Sequence, residues 1–219
     1  MTILLLRELI ISILAYIPFD FELAAIIVFI ALRSRLELNE LYIGFVLLIA
    51  CLLDIGSSTI NGDNQWFFNY SMIVIITVNI VFYFRIFKSA TIQKLIIFGY
   101  IIFLLAHVTN MFLWQGTGRI NTFTILPAQA AIGYLSFLYM RQKVESSDQN
   151  PFEDFIFWFS VANMVSFIGT IPVLATLDWF SYEHNEIAGL LYNINSVIAY
   201  YINFSIIIFG LLWTRKYQV

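Results

Sequence analysis

Ionisable and polar side chains interrupt the long apolar runs of this sequence, and these residues are the ones most able to do chemistry. Asp54 is the most informative of them, because a carboxylate at the centre of a membrane helix costs about 2.5 to 3.5 kcal/mol on insertion scales. It therefore needs a partner, which we expect to be His107 or an asparagine of the last apolar run. Such a pair would be either a structural link between helices or a site for a ligand or a proton.

Hydroxyl, amide and imidazole side chains accompany Asp54, and most of them fall in the outer half of the predicted membrane. The candidate pocket that they form with Asp54 contains Ser57, Ser58, Asn69, His107, Asn110, Thr170 and Asn195. Two hypotheses fit this distribution. One is a polar cavity that opens to the outside. The other is ordinary interhelical hydrogen bonding, worth roughly 0.6 kcal/mol per bond, which we favour for the asparagines and serines.

The inventory of reactive residues excludes several membrane chemistries. The two histidines, His107 and His184, lack the organised carboxylates of a zinc site, and the single Cys51 cannot form a thiolate cluster. A retinal Schiff base needs a lysine deep in the last helix, whereas Lys216 follows the last apolar run. The sequence therefore predicts no metal and no cofactor. It contains no recognisable catalytic set, which leaves enzymatic activity uncertain.

The elements that must position these side chains are seven apolar runs. Of the 219 residues, 61% are hydrophobic and only 11% are charged, against roughly a quarter charged in soluble proteins. Runs of about 20 residues are long enough to cross the hydrocarbon core of a bilayer. They lie near 18–36, 41–60, 66–86, 95–114, 124–140, 155–176 and 188–212. This pattern predicts an all-α, polytopic membrane protein with seven transmembrane helices.

Orientation follows from the distribution of basic residues, since cytoplasmic loops retain lysine and arginine during insertion. One side of the predicted bundle carries Arg33, Arg35, Arg85, Lys88, Lys94, Arg141, Lys143, Arg215 and Lys216. The other side carries Arg7 and Arg119. We therefore expect the N-terminus outside and the C-terminus inside, in a multi-pass protein of the bacterial inner (cytoplasmic) membrane. The basic residues form no surface suited to nucleic acid.

The first apolar segment needs a separate interpretation because it carries acidic residues. Pro18 suits the first position of a helix, and Glu22 suits the first turn, where it meets the positive end of the helix dipole. We therefore predict a short interfacial helix over 1–17 and a transmembrane domain over 18–219. A kinked helix over 9–32 is the main alternative, and a cleaved signal peptide is another.

Three stretches carry a resemblance to a known group of proteins. They are the outer turn at 61–67, the entry to the sixth helix at 151–158, and the segment 191–196 of the seventh helix. With these stretches the chain resembles small seven-span membrane proteins of the Bacteroidota type, for which no activity is established. The resemblance implies the architecture and leaves the function open. It also leads us to expect a glutamate near the position that Asp54 occupies.

Three functional hypotheses follow from these observations. The first is a non-enzymatic sensor or receptor-type subunit with a polar pocket in its outer half, whose short cytoplasmic joints require a membrane partner such as a kinase. The second is a structural or accessory subunit of a larger inner-membrane complex. The third is a membrane enzyme that acts on lipid, which requires Asp54 and His107 within hydrogen-bond reach. The lipid bilayer is a partner in all three, the ligand is unidentified, and none involves nucleic acid.

Overall fold

The computed structural model describes residues 21–60, 65–146, 150–183 and 185–216, and every regular element in this part of the chain is a helix. The prediction of an all-α polytopic membrane protein is confirmed. In chain order, α1 covers Phe21–Leu32, α2 Leu38–Thr59, α3 Gln65–Ile86, α4 Ala90–Trp114, α5 Thr122–Glu145 and α6 Phe155–Glu183, and α7 begins at Asn185 and ends at Lys216.

Six of these helices, α2 to α7, are long and apolar enough to cross a membrane. Each overlaps the apolar run predicted for it. The described part of α1, Phe21–Leu32, is apolar but too short by itself to cross about 30 Å of hydrocarbon. The predicted interfacial helix over 1–17, and the choice between a start at Pro18 and a kinked helix over 9–32, lie outside the described residues. The orientation remains a prediction from the charge distribution.

Two of the spans contain π-helical turns, which the sequence analysis did not predict. α4 changes to π-helix over Asn110–Trp114, and α7 does so over Val197–Ile202. Helices of this kind are rare, occur mostly as single turns inside α-helices, and are frequent at functional sites. Each turn contains a polar residue that belongs to the candidate pocket or contacts one of its members. The two turns are therefore candidate positions for a functional site.

The bundle is organised around α6, which packs on α5 along its length and also contacts α2 and α7. Small residues allow this close approach: Gly210 of α7 lies directly against the base of the Trp158 side chain on α6. The buried core consists mainly of aromatic and branched residues, including Phe82, Tyr83 and Phe159. By contrast, α4 leaves large apolar side chains uncovered along most of its length, as expected of a helix that faces lipid.

Candidate functional site

A pair of carboxyl groups joins α1 to α2 inside the bundle. Asp54 of α2 hydrogen-bonds with Glu22 of α1, and Tyr200 of α7 also hydrogen-bonds with Asp54. Glu22 is only 1% exposed. The expectation that His107 or an asparagine of α7 would pair with Asp54 is therefore wrong. Glu22, which we expected in the first turn of the helix, has its side chain on the buried side of α1.

The local structure of α1 and α7 explains how these groups meet. Glu22 shares one face of α1 with Ala25 and Phe29, three and seven residues further on, and all three are buried. Tyr200 lies within the π-helical turn Val197–Ile202. The next residue, Tyr201, places its ring 5.1 Å from the ring of Phe21 on α1. Two consecutive tyrosines of α7 thus contact groups of α1 and α2.

A second polar cluster links α3, α4 and the outer loop before α5. The Asn69 side chain donates to the backbone carbonyl of Arg119 at 2.7 Å and accepts from the backbone N–H of Asn121 at 2.8 Å. Asn110 donates to the Asn121 side-chain oxygen and to Oε1 of Gln115. These bonds fix the loop 115–121 against the ends of two helices. Asn121 is the centre of the cluster, and the sequence analysis missed it because it lies outside the predicted spans.

His107 belongs to this second cluster and is fully buried. Its Nδ1 lies 2.7 Å from the Thr124 hydroxyl and 3.2 Å from the Asn121 side-chain nitrogen. Because an amide N–H can only donate, Nδ1 is the acceptor and Nε2 carries the proton, an assignment that follows from the hydrogen-bond network. The ring packs on Phe103.

The remaining candidates lie on α6, α7 and α2. Thr170 donates to the carbonyl oxygens of Ser166 and Phe167 within α6, so its hydroxyl is satisfied locally. Oδ1 of Asn195 has no hydrogen-bond partner in the described part of the chain. Ser57 is half-buried on α2, and the side chain of Ser58 lies outside what the structure describes. Of the predicted pocket residues, Asp54 thus belongs to the first cluster, and Asn69, His107 and Asn110 belong to the second.

A third polar group, deeper in the bundle, holds α3, α5 and α6 together. Asn163 of α6 donates to Oδ1 of Asn79 at 2.9 Å and to the Tyr83 hydroxyl at 3.3 Å, both on α3. The Tyr83 hydroxyl also lies 2.7 Å from the hydroxyl of Ser136 on α5. All four residues are buried, and each is joined to another helix by at least one hydrogen bond. This arrangement is the interhelical hydrogen bonding that we favoured for the asparagines and serines.

The opposite end of the bundle, the cytoplasmic end in the predicted orientation, carries one buried and one half-buried ion pair. Arg215 near the end of α7 forms a 2.6 Å salt bridge with Glu40 in the first turn of α2. Oε2 of Glu40 also accepts from the backbone N–H of Glu37 at 2.7 Å, which caps α2. Asp154, just before α6, is held by Lys143 of α5 at 2.6 Å. The sequence analysis used these basic residues only to assign orientation.

These ion pairs border a cavity of about 860 Å³ at the same end of the bundle. Its lining combines carboxylates, amides and lysines, among them Glu37, Glu40, Lys88, Lys143, Glu153 and Asp154. The cavity lies at the other end of the bundle from Asp54, so it is not the outer pocket that the sequence predicts. Its mixed charge is typical of a polar surface that meets water or another protein.

The side chains that could bind a metal ion are those of histidine, cysteine and the acidic residues. No group of three or more histidine, cysteine or acidic residues suited to a metal occurs among the described residues. Cys51 is a free, buried thiol one turn before Asp54 on α2. Asp54 and His107 have different partners on different helices, and no hydrogen bond joins them.

The fold and these clusters define a multi-pass helical membrane protein in which a buried carboxyl group, Glu22, lies against a half-buried one, Asp54. No protein-family model, curated protein or solved structure matches the chain. The functional conclusion therefore has to come from the geometry of the site.

Proposed function

We propose that the chain is a sensor or receptor-type subunit of the bacterial inner (cytoplasmic) membrane. It receives a signal in the outer half of the bundle and passes it to a partner protein on the cytoplasmic side. The observation that carries this proposal is that α2 and α7 are tied to each other twice, once in each half of the bundle. Asp54 and Tyr200 form one link, and Glu40 and Arg215 form the other.

The spacing of the two links fits one pair of antiparallel helices. At a rise of about 1.5 Å per residue, Glu40 and Asp54 are about 21 Å apart along α2. Tyr200 and Arg215 are about 22 Å apart along α7 by the same measure. The links therefore stand at matching heights, near the two ends of the span. A displacement of α7 at one link is carried to the other by a stiff helix.

The packing of α7 makes it a suitable moving part. Its main neighbour is α6, and it is linked to α2 by the contacts of Tyr200 with Asp54 and of Arg215 with Glu40. The π-helical turn Val197–Ile202 lies at the outer link and gives α7 a local irregularity there. A change in the charge or hydrogen bonding of Asp54 therefore alters how α7 is held against α2. The inner salt bridge then responds, at the border of the cytoplasmic cavity.

A partner is required because the joints between the described helices are short. The inner joints, 33–37, 87–89 and 146–154, have no room for a catalytic domain. A kinase or another membrane-bound effector is the kind of protein that could read the state of Glu40 and Arg215. The lysines and carboxylates around the inner cavity provide a polar surface for such a contact.

A structural or accessory subunit is the second candidate, and one observation favours it. The α4 helix exposes Leu95, Phe98, Leu105 and Phe112, which another membrane helix could cover as well as lipid can. We do not propose a lipid enzyme, because that function requires contact between Asp54 and His107, and the two residues have separate partners.

The experiment that tests the proposal compares partner binding in two variants. The tagged chain is purified from its native membrane in mild detergent as wild type, as Asp54→Asn and as Ser71→Ala. Ser71 is the control, since it is a buried polar residue of α3 whose hydroxyl has no hydrogen-bond partner among the described residues. A sensor predicts a stoichiometric partner whose amount or activity changes in Asp54→Asn alone. A partner that is unaffected by Asp54→Asn supports the structural subunit, and recovery of the chain without a partner contradicts both candidates.

A further inference from the structure

We propose that Glu22 and Asp54 form a proton-binding site, in which one exchangeable proton is shared between the two carboxyl groups. This identifies the signal as proton activity, and in that respect it rests on the proposed sensor function. The existence of the site itself depends only on the contact between the two residues.

The hydrogen bond between the two groups requires a proton. An ionised carboxylate can accept hydrogen bonds but cannot donate one. Two ionised carboxylates in contact would also repel each other strongly in an environment with little water. One of the pair must therefore be a carboxylic acid. Because Asp54 already accepts from the Tyr200 hydroxyl, Asp54 is the better acceptor, and the proton is carried by Glu22.

Burial of Glu22 points to the same conclusion independently. Its side chain is 1% exposed, and its Oε2 atom has no hydrogen-bond partner among the described residues. An ionised glutamate in that position would leave a buried charged oxygen without compensation, which costs several kcal/mol. A protonated glutamate avoids this cost because it is neutral. Glu22 is therefore buried in a form that holds a proton.

The described groups around the pair supply no compensating positive charge. Among the described residues, the titratable side chains around the pair are Cys51 of α2, together with Tyr200 and Tyr201 of α7. Each of these is neutral or, when it loses a proton, negative. None of these groups can therefore offset a second negative charge on the pair, and that charge is disfavoured. The environment selects the state with one proton.

Loss of the proton has a mechanical consequence. When the shared proton passes to water on the outer side, the Glu22–Asp54 hydrogen bond breaks and two carboxylates face each other. Repulsion then separates α1 from α2 and changes the hydrogen bond from Tyr200 to Asp54. Proton release is thus coupled to the position of α7, which the proposed sensor uses as its moving part.

The test is an infrared titration of the full chain in lipid nanodiscs, which follows the carbonyl stretch of protonated carboxyl groups. Wild type is expected to show one buried carboxylic-acid band that disappears as the pH rises. The band is absent in Glu22→Gln at every pH. In Asp54→Asn it remains but shifts in frequency, because Glu22 has lost its carboxylate acceptor. The control, Glu153→Gln, changes an exposed glutamate of the inner loop and leaves the band as in wild type.

Three outcomes would overturn the inference. The first is a wild-type spectrum identical to that of Glu22→Gln. The second is a carboxylic-acid band that responds to added sodium at constant pH, which would assign the pair to an alkali cation. The third is a band that Asp54→Asn does not shift. If Glu22→Gln fails to fold, the frequency shift in Asp54→Asn still decides the question.

Partner binding measured over the same pH range separates this inference from the proposed function. If the band titrates but partner binding does not depend on pH, the proton site is supported and the sensor function is contradicted. If the band is absent but partner binding still responds to Asp54→Asn, the sensor function is supported and the proton is excluded as its signal.

Discussion

Arg215, near the end of α7, holds Glu40, in the first turn of α2, through a 2.6 Å salt bridge in which both side chains are almost fully buried. The same carboxylate accepts the backbone N–H of Glu37, so it caps α2 while it binds α7. The start of one helix and the end of another are thereby joined at a single oxygen atom. Because α2 and α7 also meet at Asp54 and Tyr200, this salt bridge is one of two supports for their relative position.

Removal of the arginine should destabilise the bundle. Arg215→Met leaves the buried Glu40 carboxylate without its cation, and removing one partner of a buried pair costs about 3 kcal/mol or more. The free energy of unfolding, measured by denaturation in mixed micelles, should fall by that amount. The double variant Glu40→Leu/Arg215→Met should recover most of the loss, since no unpaired charge remains.

A matched control for this prediction exists on α5. Arg141 and Glu145 form a 2.7 Å ion pair in which both side chains are more than half exposed. Exposed pairs contribute little to stability, so Arg141→Met should leave the unfolding free energy unchanged within error. Equal stability of Arg215→Met and wild type would show that the salt bridge does not support the fold.

The outer loop 115–121 should be held in place by Asn69. Asn69→Ala removes the two hydrogen bonds that this side chain makes to the backbone of Arg119 and Asn121. Amide hydrogen exchange of the loop is expected to accelerate roughly fivefold or more, because each lost bond is worth about 1 kcal/mol. Ser71→Ala, two residues along the same helix, should leave the exchange unchanged. Unaltered protection in Asn69→Ala would contradict this account of the second cluster.

Much of the fold could be predicted from the sequence because the bilayer imposes a simple rule. A segment must be apolar for about 20 residues to cross it, and the six spans α2 to α7 satisfy that rule in both the sequence and the structure. Ordinary interhelical hydrogen bonding was likewise the favoured role of the asparagines, and the contacts of Asn163 with Asn79 fit it. Length and hydropathy do not, however, determine which helices are neighbours.

That limitation explains the errors at the site. The partner of Asp54 was expected to be His107 or an asparagine of α7, whereas its partners are Tyr200 of α7 and Glu22 of α1. A usable signal was present, because Glu22, Ala25 and Phe29 recur at three- and four-residue spacing on one buried face. Acidic residues near a helix start also suit the helix dipole, and that argument took precedence in the sequence analysis.

The close contact between α6 and α7 should not tolerate a larger residue at position 210. A Cβ atom at Gly210 would lie 2.3 Å from Cβ of Trp158, and that atom cannot move away by rotation of the side chain. Gly210→Ala should therefore lower the unfolding free energy by about 1 to 3 kcal/mol through overpacking. Gly99→Ala on α4 is the control: nothing lies within 4 Å of its Cβ position, so it should be neutral or slightly stabilising.

Substitutions in the deep polar group should differ in cost according to what they leave without a partner. Tyr83→Phe removes one hydroxyl and should lower the unfolding free energy by about 1 kcal/mol. Asn163→Leu should cost more, because Oδ1 of Asn79 and the Tyr83 hydroxyl both lose the Asn163 donor inside the bundle. Thermal denaturation in one detergent gives the order directly. A larger effect for Tyr83→Phe would mean that Asn163 is not the central donor.

Coupling between the two α2–α7 links is the central claim, and a distance measurement tests it most directly. Spin labels are placed at Leu38 on α2 and Leu212 on α7, both exposed positions at the inner end. Cys51→Ala provides a cysteine-free background. Pulsed electron resonance then compares the distance distribution of this chain with that of its Asp54→Asn and Asn69→Ala derivatives. We predict that Asp54→Asn shifts or broadens the distribution, although it lies about 21 Å from Glu40, and that Asn69→Ala leaves it unchanged. Superimposable distributions for the unsubstituted chain and Asp54→Asn would contradict the account.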